Sequence, residues 1–87
     1  MMKIKMKIKK LSKISYEIET KEDLIYITKE KNTNTKDLYL YFIDIFSNDG
    51  DWDIIDGENF DDFSNVIDYL RDNYNISEKI LKQIKLE

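Results

Sequence analysis

Residues 44–72 read D-I-F-S-N-D-G-D-W-D-I-I-D-G-E-N-F-D-D-F-S-N-V-I-D-Y-L-R-D, and the folding of this stretch decides the architecture of the chain. It leaves an apolar run, turns at Ser47-Asn48-Asp49-Gly50, returns through Asp51-Trp52-Asp53-Ile54-Ile55 and breaks at Asp56-Gly57-Glu58-Asn59. Asp-Gly between two β-like runs is a strong hairpin signal, because both positions tolerate positive φ. Trp52 and Ile54 share one face of the returning strand. Asp49, Asp51 and Asp53 share the other, successive carboxylates lying about 7 Å apart. After the break, Asn59 is the expected helix N-cap, with Asp61 and Asp62 in a first turn whose dipole favours carboxylates. Phe60, Phe63, Val66, Ile67, Leu70 and Tyr74 recur at spacings of three and four, which predicts an amphipathic helix over residues 60–73. Its far side carries Asp61, Asn65, Asp68 and Asp72.

Upstream, residues 38–46 (L-Y-L-Y-F-I-D-I-F) are the most apolar run, and Tyr, Phe and Ile in bulk favour a central strand. Leu38, Leu40, Phe42 and Phe46 fall on one face, Tyr39, Tyr41, Ile43 and Ile45 on the other. Residues 24–28 (L-I-Y-I-T) predict a third strand, and the alternation of Ile14, Tyr16 and Ile18 with Ser15, Glu17 and Glu19 a second. Met2, Ile4, Met6 and Ile8 alternate with Lys3, Lys5, Lys7 and Lys9, a first strand bearing a lysine row. The plain reading of that row is an edge guarded against pairing, with Glu17 and Glu19 placed across from it. Residues 10–13, 20–23 and 30–36 read as polar connections. Downstream, Ser77 caps a short second helix with Ile80, Leu81 and Ile84 on its apolar side. The expected fold is α+β, an antiparallel β-meander of four to five strands followed by two C-terminal helices packed on one sheet face. It forms a single compact domain over residues 1–87. Phe42, Phe46, Trp52, Phe63, Ile67 and Leu70 are its expected core.

With no Cys and no His, disulfides, thiolate metal sites and the commonest general base are excluded. Asp49, Asp51 and Asp53 have the one-three-five spacing of a calcium loop. The sixth position, which needs Gly, is Ile54, and the twelfth, which needs Glu, is Phe60. Neither a metal nor a cofactor is therefore expected, and no catalytic constellation supports an enzyme. The first ten residues form no apolar signal segment and no run is long enough to span a bilayer, so a soluble, cytoplasmic protein without membrane partners is expected.

The net charge of −4 is a cancellation: residues 1–36 carry +5, residues 37–75 carry −10 and residues 76–87 carry +1. A solvated face of turn and cap aspartates explains each acid singly, but a block of −10 repels itself unless a positive partner compensates it. Carboxylates on a rigid scaffold can stand in for a nucleic-acid backbone and occupy the basic channel of a nucleic-acid-binding protein.

The run Asn48-Asp49-Gly50-Asp51, the aromatic-bearing strand, the acidic turn at residues 56–58 and the helix ending in Asn73-Tyr74-Asn75 resemble the core of small acidic anti-CRISPR proteins. The likeness is to the Cas9 inhibitors that cover PAM-reading arginines, and it spans about a third of the chain. That family's known member opens with a helix, whereas this chain opens with a lysine-rich strand. The resemblance implies that Asp49, Asp51, Asp53, Asp56 and Glu58 act as phosphate or base-edge surrogates. With Asp61, Asp62, Asp68 and Asp72 they form the expected partner-binding set. The partner is then a basic nucleic-acid-binding protein such as a Cas effector, with no direct contact to nucleic acid, and the protein itself a monomer or homodimer. A different reading is a small assembly module that uses a strand edge with Tyr39 and Tyr41.

Overall fold

The computed structural model describes residues 6–31, 39–48 and 53–86. Within them β1 (Lys7–Ser12), β2 (Ser15–Glu19), β3 (Asp23–Lys31), β4 (Tyr39–Ser47) and β5 (Ile54–Phe60) form one antiparallel sheet in chain order. Helices α1 (Phe63–Tyr74) and α2 (Glu78–Leu81) follow. This is the expected α+β meander with two C-terminal helices.

The core lies between one face of this sheet and the C-terminal segment. Ile18 of β2, Ile25 and Ile27 of β3, and Ile43 and Ile45 of β4 point to that face and are fully buried. Val66 and Leu70 of α1 meet them, with Ile76, Ile80, Leu81 and Ile84 completing the layer. β-Branched isoleucines suit central strands because their stiff side chains pack well on a pleated surface. The cross-strand pairs Ile18↔Ile25 and Ile27↔Ile43 set the register. α1 lies over β4 and β5. α2 sits near β1, where Ile80 and Gln83 share a shallow depression with Met6 and Ile8. The Tyr16 hydroxyl donates to the Lys85 carbonyl at 3.3 Å, holding the C-terminal segment on β2.

Three expectations need correction. First, the helices cover the Tyr41/Ile43/Ile45 face of β4, so Phe42 and Phe46 are half-buried on the opposite face and do not belong to the core. There Phe46 meets Tyr26 edge-on at 5.6 Å. Leu70 is fully buried as expected, Phe63 and Ile67 pack against the core from its margin, and Trp52 lies outside the described residues. Second, the segment at residues 56–59 does not break the strand. It pairs with β4 through Ile45↔Asp56, Asp44↔Gly57, Ile43↔Glu58 and Phe42↔Asn59. Gly57 stays out of the left-handed region, so its backbone behaves as an ordinary strand residue. Third, the helix begins later. Its N-cap is Asp62, not Asn59, and Asp61 and Asp62 precede the first turn.

At the first strand, β1 runs on through Lys10 to Ser12 with a register shift, and the turn comes at residues 13–14. The expected facing of charges holds as register, with Lys7↔Glu19 and Lys9↔Glu17. Lys3 and Lys5 lie outside the described residues. Asn75 ends α1 in the left-handed conformation (φ 53°), its N–H bonded to the Leu70 carbonyl. Asn tolerates that geometry better than other residues with a side chain.

Candidate functional site

β5 is an edge strand, and its sequence, with the short joint to α1, is acidic throughout: Asp53, Asp56, Glu58, Asp61 and Asp62, with no basic residue among positions 53–62. Rings fix this edge to α1. Phe60, opposite Tyr41 in the register, meets Tyr69 at 5.3 Å, and Tyr69 meets Tyr74 at 5.8 Å. Tyr41 packs on Phe63 at 5.5 Å. The acidic edge is therefore carried on a packed aromatic row.

The carboxylates fall into two groups. Asp56, Asp62 and Asp68 are used within the molecule. Asp56 is half-buried; its Oδ2 accepts the Tyr69 hydroxyl at 2.5 Å and the Tyr74 hydroxyl at 3.5 Å, and its Oδ1 accepts the Gly57 N–H at 2.8 Å. The Tyr69 bond, then the Gly57 N–H, holds the Asp56 carboxyl below the ordinary carboxylate range. Burial first, and then the Asp56 bond, pushes the Tyr69 hydroxyl well above its ordinary value. Asp62 caps α1, its Oδ1 accepting both the Ser64 N–H and the Ser64 hydroxyl at 2.9 Å, which lowers its pKa. Asp68 accepts from Arg71 at 3.0 Å, and the same guanidinium bonds Glu78 at the start of α2. The chain's single arginine is thus engaged between the two helices.

Asp53, Glu58, Asp61 and Asp72 form the second group. They are exposed, and none makes an ion pair or side-chain hydrogen bond among the described residues. Asp53, Glu58 and Asp61 follow one another along β5 and its joint, whereas Asp72 stands on the outer side of α1. Asp68, one turn earlier on the same exposed stripe, is linked through Arg71 to Glu78 of α2. Asp49 and Asp51 lie outside the described residues. The expected nine-residue set therefore resolves into a β5 group, a separate pair on α1, and two positions with no structural description.

Asn48 anchors the base of this hairpin, a role the sequence pattern did not reveal. Its Nδ2 donates to the Thr20 carbonyl at 2.9 Å, and its N–H donates to the Glu22 carbonyl at 3.0 Å. One residue earlier, the Ser47 N–H donates to the Asp53 carbonyl at 2.9 Å. Tyr69 and Tyr74 were likewise missed as partners of Asp56; a Tyr at the helix's margin, in reach of a strand carboxylate, was the available signal.

Among the described residues no group of three or more carboxylates gathers as a cation site. The exception to the downward pKa trend among the carboxylates is Asp23, raised first by burial and then by Glu22. It lines a shallow depression with Thr20, Tyr74 and Asn75. Tyr39 is exposed with the Lys29 ammonium 4.3 Å from its ring centre, while Tyr41 is spent on Phe63. Comparison with protein-family models, with curated proteins and with solved structures found no match. Among the described residues no helix is long and apolar enough to cross a membrane.

Proposed function

We propose that this protein is a non-enzymatic binding protein that uses the acidic β5 side to occupy the basic surface of a nucleic-acid-handling protein, a CRISPR-Cas effector being the example that the sequence resemblance suggests. The observation that carries the reading is that Asp53, Glu58 and Asp61, on and beside the edge strand β5, make no ion pair among the described residues, while the only arginine is committed to Asp68 and Glu78. Clustered carboxylates left unpaired cost stability by mutual repulsion, and a basic partner offsets that cost. Their mounting on a sheet and a packed aromatic row keeps them in fixed positions, so little ordering entropy is lost on binding. Lys7 and Lys9 of β1 face Glu19 and Glu17 across the strand pair, and Lys10 faces Tyr16, so this reading gives them no role.

The test is the binding of a guide-loaded Cas9-type effector to the wild-type protein and to the triple reversal Asp53→Lys, Glu58→Lys, Asp61→Lys. Association should slow by about tenfold or more in the variant, since steering follows the local field. Reversal of Lys7 and Lys9 should leave it unchanged. Equal association by wild type and triple variant rejects the acidic edge as the binding surface.

A further inference from the structure

Among the described residues the sheet has two edge strands, β1 and β5, and they differ. β1 displays Lys7, Lys9 and Lys10, the usual guard against strand addition. β5 has neither Lys nor Pro. It starts with Ile54 and Ile55, 63% and 55% exposed, the most exposed large hydrophobic residues among those described. Its one irregularity is the bulge at Ile55, where the register moves from Ile45↔Asp56 to Phe46↔Ile54. Beyond that bulge the edge carries neither Lys nor Pro, and such an edge is open to a further strand.

We propose that β5 receives an extended basic segment of a partner protein as a sixth strand. Asp56 and Glu58 face the same side, since they sit across from Ile45 and Ile43. They stand roughly 7 Å apart, the same-face repeat of any strand. Asp56 is already held by Tyr69 and Tyr74, so the exposed Glu58 is the carboxylate that a Lys or Arg of the incoming segment would lie beside, at a cross-strand separation of about 5 Å. At the start of β5, Ile54 and Ile55 ask for an apolar side chain. Backbone hydrogen bonds to the edge supply affinity, and the positive charge of the segment beside Glu58, Asp53 and Asp61 supplies selectivity. A second copy of this chain fits poorly: β5 against β5 sets Asp56 and Glu58 against the same carboxylates, and β1 against β1 sets lysine against lysine. This inference rests on the acidic-surface reading above and specifies how the partner is held.

The experiment titrates the full-length protein with a ten-residue peptide that alternates lysine with valine. A second peptide has the same sequence with alternate backbone nitrogens methylated, which keeps the charge but cannot continue the ladder. The unmodified peptide should bind at least tenfold more tightly and slow amide exchange in residues 54–60. Ile55→Lys should weaken it at least fivefold, while Asp72→Lys, a larger charge change away from the edge, should alter it less than twofold. Equal affinity for the two peptides overturns strand addition and leaves the acidic surface standing. Failure of both peptides to bind at low salt removes the acidic-surface reading as well. A peptide-free dimer that Ile55→Lys dissociates assigns the edge to a second copy and overturns the proposal.

Discussion

The Asp56 carboxylate ties β5 to α1, because it accepts from Tyr69 and Tyr74 of the helix and from the Gly57 N–H of its own strand. Its folded pKa lies below the ordinary value, chiefly through the Tyr69 bond. A carboxyl of that kind stabilises the fold fully above its unfolded pKa of about 3.9 and loses the contribution as pH falls through the lower folded value. Tyr69→Phe should therefore lower the melting temperature by a constant amount between about pH 5 and pH 8, with the gap to wild type closing below about pH 4. A gap of the same size at pH 3 and pH 7 would show that the hydroxyl does not act on an ionised Asp56. At Asp62 the test is chemical rather than electrostatic. Asp62→Ser should keep most of the stability because serine also caps a helix, and Asp62→Ala should not. If both variants melt together, the cap contributes nothing.

At the scale of elements, most of the chain was legible. Alternation in residues 14–19 and the apolar runs at residues 24–28 and 38–46 mark strands with little ambiguity, and the capping Ser77 marks α2. The inner face of β4 was not legible, because that strand is apolar on both sides. Size favoured Phe42 and Phe46, yet the cross-strand isoleucines of β2 and β3 select Ile43 and Ile45. The end of β5 was misread because Asp, Gly and Asn are ordinarily strand breakers, whereas here the pairing with β4 overrides local propensity. The Asp56 position shows the same limit at the site: charge pattern located the acidic edge, but only tertiary packing separates a carboxylate held by Tyr69 from a free one such as Glu58. Ile43→Ala should cost about 2–5 kcal/mol as a truncation in a fully buried position. Phe42→Ala should cost less, because its ring is only partly buried on the face the helices do not cover. Urea denaturation of the two variants decides the matter: if Phe42→Ala has the lower midpoint, the helices cover the wrong face in this account.

For the whole molecule the governing fact is charge division, +5 over residues 1–36 against −10 over residues 37–75. Salt should act in two opposite directions on the same carboxylates. Screening relieves their mutual repulsion, so the melting temperature of the free protein should rise between about 10 mM and 150 mM salt, as the Debye length shrinks from about 30 Å to about 8 Å. Partner binding should weaken over the same range. A melting temperature that falls with salt would mean that attraction between the two halves outweighs repulsion within the acidic one. The central claim, that the β5 side takes the place of nucleic acid on a basic protein, is tested most directly by competition on a guide-loaded Cas9-type effector bound to fluorescent target duplex. Added protein should displace the duplex and excess duplex should displace the protein, with the Asp53, Glu58 and Asp61 reversal inert. A stable ternary complex of effector, duplex and protein, or displacement by the triple variant as efficient as by wild type, would contradict it.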